Sequence, residues 1–381
     1  MLLTKYFQTS APLIPVCPYF SQCGGCALQN LSYLEQLQSK LAMLKNEMQL
    51  SGIQDSLINL VENVIAGSDY HYRKRIALQT NSRGETGFYQ RRSNTLINLQ
   101  SCPVCSPALE KKIADTKKLV QEFPEIKQVL LEEGINGVFC VLKLEKAGNS
   151  SETSFYQELL ALAKKSFNNV LILENNRTVL KDFSADLQIP LNHEQSLLLT
   201  LPAGSFSQIN WQVNQQLIQT VLAESLQLAK SRGGQRKLRI LDLYSGAGNF
   251  SLPLAQAGCQ VTGVECNGEL IRLGRENAKK YGLEKNLKFI SSSVEQFLTS
   301  GRIRCSEQFD LILFDPPRSG LEKIISFLPP AKKLILISCY LPSFLKDLKN
   351  LYKYGWNVKR IAPFDMFAQT LYLEVLSTYT R

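Results

Sequence analysis

With 381 residues, 44% of them apolar and 20% charged, the chain is long enough for two or three domains with sizeable cores and has the balance of an ordinary globular protein. No apolar stretch is long enough to span a bilayer, and MLLTKYFQTSAPLIP lacks a basic start followed by an apolar core, so neither a membrane helix nor a signal peptide is expected and the cytoplasm is the default. A net charge of +10 favours a polyanionic partner, chiefly nucleic acid, without deciding it.

Ten cysteines without a secretory signal point to metal binding or catalysis rather than to a disulfide framework. Histidine is scarce, with only His71 and His193, so general-base chemistry falls to a carboxylate.

The first 16 residues read as an extended lead, and residues 17 to 26 are rich in cysteine and glycine. Cys17, Cys23 and Cys26 have the spacing of one metal centre, with Gly24-Gly25 free to wrap it. Three thiolates plus one distant fourth fit an iron–sulfur cluster. Four thiolates equally fit zinc.

Residues 30 to 50 show helical spacing, with Leu34, Leu37, Leu41 and Leu44 along one stripe and a capping box from Ser32 and Glu35. Residues 70 to 80 and 81 to 99 suit a hairpin. His71-Tyr72-Arg73-Lys74-Arg75 and Tyr89-Gln90-Arg91-Arg92 interleave aromatic and basic groups, a surface that stacks splayed bases and holds phosphates. The plain alternative is a solvated hairpin face. A helix over 105 to 123 follows, and then strands VFCVLKL and NVLILEN bracket a helix near 152 to 166. This half reads as α+β with antiparallel pairing.

From about 205 the rhythm changes. A helix over 210 to 230 leads through the basic linker SRGGQRK (231 to 237) into alternating strands and helices. A helix is expected after each of FDLILF and KLILIS. Such alternation predicts a doubly wound parallel sheet, with the final run QTLYLEVLSTYT added antiparallel because no helix precedes it.

The chemistry collects in this half. In LDLYSGAGNF (241 to 250), Gly246 and Gly248 sit where helix amides converge on a ligand, and Glu265 ends the next strand, where a carboxylate accepts from two ribose hydroxyls. No third glycine follows at the spacing that admits a pyrophosphate, which favours S-adenosylmethionine over a dinucleotide. FDPPRSG (314 to 320) puts Asp315 at a strand end, held by two prolines. Cys339 follows the fifth strand beside a helix start expected to lower its pKa. A thiolate there can add to C6 of a pyrimidine and make C5 nucleophilic, and Glu374 is the candidate base for the C5 proton.

Together these residues resemble the RNA uracil-5-methyltransferase family over nearly the whole chain. The motifs run in order: CxxxxxCxxC at 17 to 26, GFYQRR (87 to 92), Cys102, FSQIN (206 to 210), LDLYSGAGNFSLPLA, GVECNGELIRLGRENAKKYGL (263 to 283), FDPPRSG, ISCYLPSFLKDL (337 to 348) and MFAQTLYLE (366 to 374). The resemblance implies an α/β fold, with a C-terminal Rossmann-like class I methyltransferase domain (201 to 381) after an N-terminal α+β iron–sulfur and RNA-binding domain (1 to 200). The helix at 30 to 50 is expected to pack on the catalytic half.

By resemblance Cys339 is the nucleophile and Glu374 the base. Gln208, Tyr244, Glu265 and Asp315 match positions that contact S-adenosylmethionine, with Gly246 and Asn249 as neighbours in the same loop, and Gln208 and Asp315 also near the target base. A [4Fe–4S] cluster is implied on Cys17, Cys23, Cys26 and Cys102, with Cys105 a rival in CPVC.

Four departures stand out. Tyr340-Leu341 replaces the usual Asn-Pro after the nucleophile, Tyr372 a histidine before the base, Ala368 a proline, and Ser291-Ser292-Ser293 stands where a family member often offers an acid or amide to the adenine. The implied reaction is methylation of uridine C5 in RNA by a monomer. Only 16 residues precede Cys17, so the N-terminal β-barrel (TRAM) domain of some relatives is expected to be absent, as in the compact class acting on 23S ribosomal RNA. Transfer RNA, cytosine C5, and a non-catalytic RNA-binding role are the alternatives.

Overall fold

The computed structural model describes residues 12–145, 152–183, 186–231, 236–300, 308–321 and 324–381. Most of the N-terminal lead, and residues 232–235 of the basic linker, lie outside this set. Two seven-stranded sheets dominate the molecule.

In chain order, α1 (Tyr33–Leu50) and α2 (Asp55–Ile58) precede β1 (Arg75–Thr80), β2 (Thr86–Tyr89) and β3 (Leu96–Asn98). Then come α3 (Pro107–Glu110), α4 (Ile113–Glu122), β4 (Ile126–Gly134), β5 (Gly137–Leu144), α5 (Glu152–Ala163), β6 (Asn169–Glu174) and β7 (Arg177–Asp182). The first sheet runs β3-β2-β1-β4-β5-β6-β7. Its pairings are antiparallel except β5–β6, which is parallel. A parallel pair needs a crossover, and α5 supplies it.

A small β8 (Leu187–Pro190) and β9 (Leu198–Leu201) pair and α6 (Trp211–Lys230) lead into the second sheet. There follow β10 (Arg239–Leu243), α7 (Ser251–Gln256), β11 (Gln260–Glu265), α8 (Gly268–Lys280), β12 (Leu287–Ser291), α9 (Val294–Thr299), β13 (Phe309–Phe314), β14 (Ala331–Ser338), α10 (Leu341–Lys353), β15 (Asn357–Phe364) and β16 (Glu374–Thr380). The order is β12-β11-β10-β13-β14-β16-β15. The first five strands are parallel, and β16 inserts antiparallel between β14 and β15. The strand order reverses between β10 and β13, where an open α/β sheet leaves its ligand crevice. Between β13 and β14 the described residues hold only a short 3₁₀ turn, Ile325–Phe327, where the alternation predicted a helix.

Helices cover both faces of the second sheet, which is why β13 is buried along its whole length and reads as an unbroken apolar run. One core joins α6, α7 and α8 to the sheet and continues into β8, β9 and part of the first sheet. The other packs α10 and α1 against the opposite face, through Leu44 and Met48. Among the described residues no helix is long and apolar enough to cross a membrane.

The capping box of α1 forms as expected: the Glu35 amide donates to Ser32 Oγ and the Ser32 amide to Glu35 Oε2. The buried stripe of this helix differs from the leucine stripe. It consists of Gln36, Lys40, Leu44 and Met48, while Leu34 is 66% exposed. Lys40 reaches the buried carboxylate of Asp365, which also accepts from Tyr33 Oη at 2.9 Å. Burial pushes the Lys40 ammonium downward, against the pull of Asp365. A charged pair with further hydrogen bonds survives burial where a lone ammonium does not.

Candidate active site

The C-terminal ends of β10, β11, β13 and β14 open into a cleft of about 690 Å³. Gln208, Tyr244, Gly246, Asn249, Glu265, Asp315, Cys339 and Glu374 all line it, so every catalytic or cofactor-binding residue expected from the sequence converges on one space.

The cofactor end is built by the turn after β10. Tyr244 and Gly246 both have positive φ, 66° and 56°, and a Cβ at Gly246 would meet nothing within 4 Å, so the backbone there is open to a ligand. Gly248 does different work: a Cβ there would stand 3.1–3.2 Å from Leu252 and Phe289, so it serves packing. The Gly246 amide donates to Glu265 Oε2 at 3.2 Å, and the Cys266 and Asn267 amides donate to Oε1, both at 2.8 Å. Glu265 is thereby fixed in orientation at the start of α8. Asn249 is held by a reciprocal amide pair with Asn214 of α6, at 2.9 and 3.0 Å. Ser293 caps α9, and the Ser291–Ser293 segment does not line the cleft.

The reacting end combines three groups. Cys339 is half-buried after β14, Glu374 is 2% exposed at the start of β16, and Asp315 is partly buried after β13. Burial, with Asp315 beside it, raises Glu374 well above the usual carboxylate range. Burial alone pushes Asp315 up to about 7. Cys339 is raised to about 11, first by burial and then by Glu374 and Asp315, with Arg318 pulling the other way. The helix start at α10 therefore does not produce the low pKa expected from sequence: burial first, and then two acids, outweigh one helix end. Three carboxyl groups, Glu265, Asp315 and Glu374, thus share the cleft with two arginines, Arg73 and Arg318.

Asp242 adds to this acidity from below. It is fully buried, its Oδ2 accepts from Ser251, and burial raises it to about 7 from an ordinary 3.8. In the fold Asp242 keeps a proton that the unfolded chain releases, so its contribution to stability is whole below about pH 4 and is lost as pH rises through about 7. Asp242→Asn is expected to raise Tm at about pH 8 and to change it little near pH 4, read by thermal denaturation at the two values; an equal shift at both would contradict the assignment.

Sequence reasoning did not single out Phe206, Phe367 and Thr370, which also line the cleft. At its mouth the Arg318 guanidinium lies 5.8 Å from the Tyr340 ring and 5.9 Å from the Tyr372 ring. Only proximity in the fold reveals that grouping.

Cys17, Cys23, Cys26 and Cys102 line a second, smaller cavity, and Cys105 does not. Gly25, Tyr72, Arg73 and Thr370 line this cavity and the cleft alike. All described cysteines are free thiols. Burial raises Cys17 and Cys23, and raises Cys26 to about 12. A hydrogen bond from Cys105 lowers Cys102 to about 7. Among the described residues no three such groups close on a single point as ligands of one ion would.

The model of the tRNA (uracil-5-)-methyltransferase family matches residues 32–378. The 23S rRNA (uracil(1939)-C(5))-methyltransferase RlmD of Shewanella amazonensis is 30% identical over 96% of this chain and 81% of its own. The protein of the same name from Pectobacterium atrosepticum is 32% identical over 96% and 79%. Among solved structures, the Pyrococcus abyssi tRNA (uracil-54, C5)-methyltransferase in complex with S-adenosyl-L-homocysteine superposes with a TM-score of 0.70 at 21% identity, covering 93% of this chain and 86% of that one. That likeness shows the shared fold. With a family match over most of its length, a second sheet ending in an antiparallel insertion and a cleft that joins a thiol to two carboxylates, the chain belongs to the tRNA (uracil-5-)-methyltransferase family.

Proposed function

We propose that the protein transfers a methyl group from S-adenosylmethionine to C5 of a uridine in 23S ribosomal RNA, with Cys339 as nucleophile and Glu374 as base. The observation that carries this reading is the convergence of Cys339, Glu374 and Asp315 with the Gly246–Glu265 cofactor turn in one cleft. Glu265 takes the ribose, while Tyr244, Gly246 and Asn249 border the nucleoside; Gln208 and Asp315 reach the target base as well as the donor. Bound there, S-adenosylmethionine supplies an electrophilic methyl on a cationic sulfonium and leaves as S-adenosylhomocysteine.

A cation entering this cleft favours the ionised forms of Asp315, Glu374 and Cys339 together. Cys339 gives its proton to a neighbouring carboxylate and its Sγ forms a bond to C6 of the uracil. The electron density moved to C5 takes the methyl. Glu374 then removes the C5 proton, the C5=C6 bond re-forms, and the C6–Sγ bond breaks to release the thiolate. The target base must leave its stack to reach Cys339.

Ribosomal RNA is favoured over transfer RNA because the 23S enzymes named above align along 96% of this chain. We assign residues 1–200 to metal and RNA binding and 201–381 to catalysis, in a cytoplasmic monomer. Methylation assays on 23S ribosomal RNA and on transfer RNA lacking the modification test the substrate; methyl uptake by transfer RNA alone would overturn it.

We further propose that Cys17, Cys23, Cys26 and Cys102 of the second cavity would hold a [4Fe–4S] cluster. What supports it is that the three thiols of the Cys17–Cys26 segment and the distant Cys102 line one cavity, the ligand pattern such a cluster takes. Such a cluster would give the loop structural cross-linking, since methyl transfer needs no electrons. Cys102→Ser is expected to lose bound iron and acid-labile sulfide, and Cys105→Ser to keep them; elemental analysis decides, and loss in Cys105→Ser alone would exchange the ligands.

A further inference from the structure

The loop between β15 and β16, residues 365–373, delivers Glu374 to the cleft, and its contacts come from the far end of the chain. Gln369 stands at its centre, buried at 1% exposure and with φ of 65°, a left-handed conformation unfavourable for a residue with a side chain. Each of its polar atoms is engaged. Its carbonyl accepts from the Ala27 amide at 2.8 Å and the Leu28 amide at 3.1 Å, directly after Cys26. Its side-chain carbonyl accepts from Gln36 Nε2 at 2.9 Å, its amide N–H donates to Gln36 Oε1 at 3.2 Å, and its Nε2 donates to the Asp69 carbonyl at 3.4 Å.

The neighbours on the loop are held in the same manner. Tyr72 Oη donates to the Ala368 carbonyl at 3.0 Å, and Lys40 Nζ to the Phe367 carbonyl at 3.1 Å. Five residues beyond Gln369 the chain enters β16, where Glu374 pairs with Phe364.

We propose that Gln369 is a positioning residue for Glu374: the cysteine loop and α1 clamp it, and the clamp sets where the carboxylate stands when the C5 proton must leave. This rests on the reading of Glu374 as the base. A loop that only needed to close β15 onto β16 would have no use for a strained, buried glutamine bound from three distant segments.

The test compares wild type, Gln369→Ala and Gln36→Ala as purified proteins carrying the whole 381-residue sequence, using 23S ribosomal RNA lacking the methyl group. A displaced base leaves Cys339 addition and methyl transfer intact and stalls the step after them. In Gln369→Ala, kcat is expected to fall roughly 10- to 100-fold with KM for RNA within about twofold, and a denaturant-resistant protein–RNA adduct to accumulate. Gln36→Ala leaves residue 369 in place and should show the same signature at smaller amplitude, so it decides the matter if Gln369→Ala does not fold. Loss of kcat without adduct, or unchanged kcat in folded variants that bind S-adenosylhomocysteine normally, overturns the proposal. If Glu374→Gln also gives no adduct while wild type methylates, the role of Glu374 has failed rather than that of Gln369.

Discussion

Cys339→Ala is expected to abolish methyl transfer, lowering kcat by roughly 10⁴-fold or more, while S-adenosylhomocysteine still binds. The side chain lies at the reacting end of the cleft, away from the Gly246–Glu265 turn, so its removal leaves the hydrogen bonds that orient Glu265 untouched. Without a bond from Sγ to C6, C5 of uracil is not nucleophilic enough to take the methyl. The thiol is raised to about 11, first by burial and then by Glu374 and Asp315. The Cys339→Ala variant separates binding from chemistry. Calorimetry with S-adenosylhomocysteine beside a methylation assay makes the check; retained turnover would remove Cys339 from the mechanism.

Glu374→Gln is expected to lower kcat roughly 10²- to 10⁴-fold and to trap the RNA on the protein. Glutamine keeps the size and a hydrogen-bonding end but cannot accept the C5 proton. Addition through Cys339 and methyl transfer both precede that step, so the intermediate accumulates and runs as a shifted band in a denaturing gel. Because Glu374 is raised by burial and by Asp315, a neutral amide there also relieves the cost of keeping a carboxyl protonated that the unfolded chain would ionise, and near neutral pH the variant should be no less stable than wild type. A variant with neither turnover nor adduct would place Glu374 before the addition step.

Much of this site was legible in the sequence because its parts are local. The glycine turn, DPPR and Cys339 each follow an apolar strand run, and in an alternating α/β chain strand ends fall on one edge of the sheet. The antiparallel placement of β16 followed from the missing helix before it. What failed depended on partners far along the chain. Helical spacing selected Leu34 and Leu37 for the buried face of α1, but Gln36 and Lys40 occupy it because Gln369 and Asp365 wait there, more than 300 residues away. The parallel β5–β6 pair was missed inside an otherwise antiparallel half. The pKa of Cys339 was read from its own helix, whereas burial in the folded cleft raises it first, with Glu374 and Asp315 adding to that from other parts of the chain.

The most direct measurement is mass spectrometry of nucleosides from 23S ribosomal RNA isolated with and without this gene. The account predicts that 5-methyluridine is lost from that RNA when the gene is removed and returns with the wild-type chain but not with Cys339→Ala. An unchanged 5-methyluridine content in 23S ribosomal RNA would contradict it.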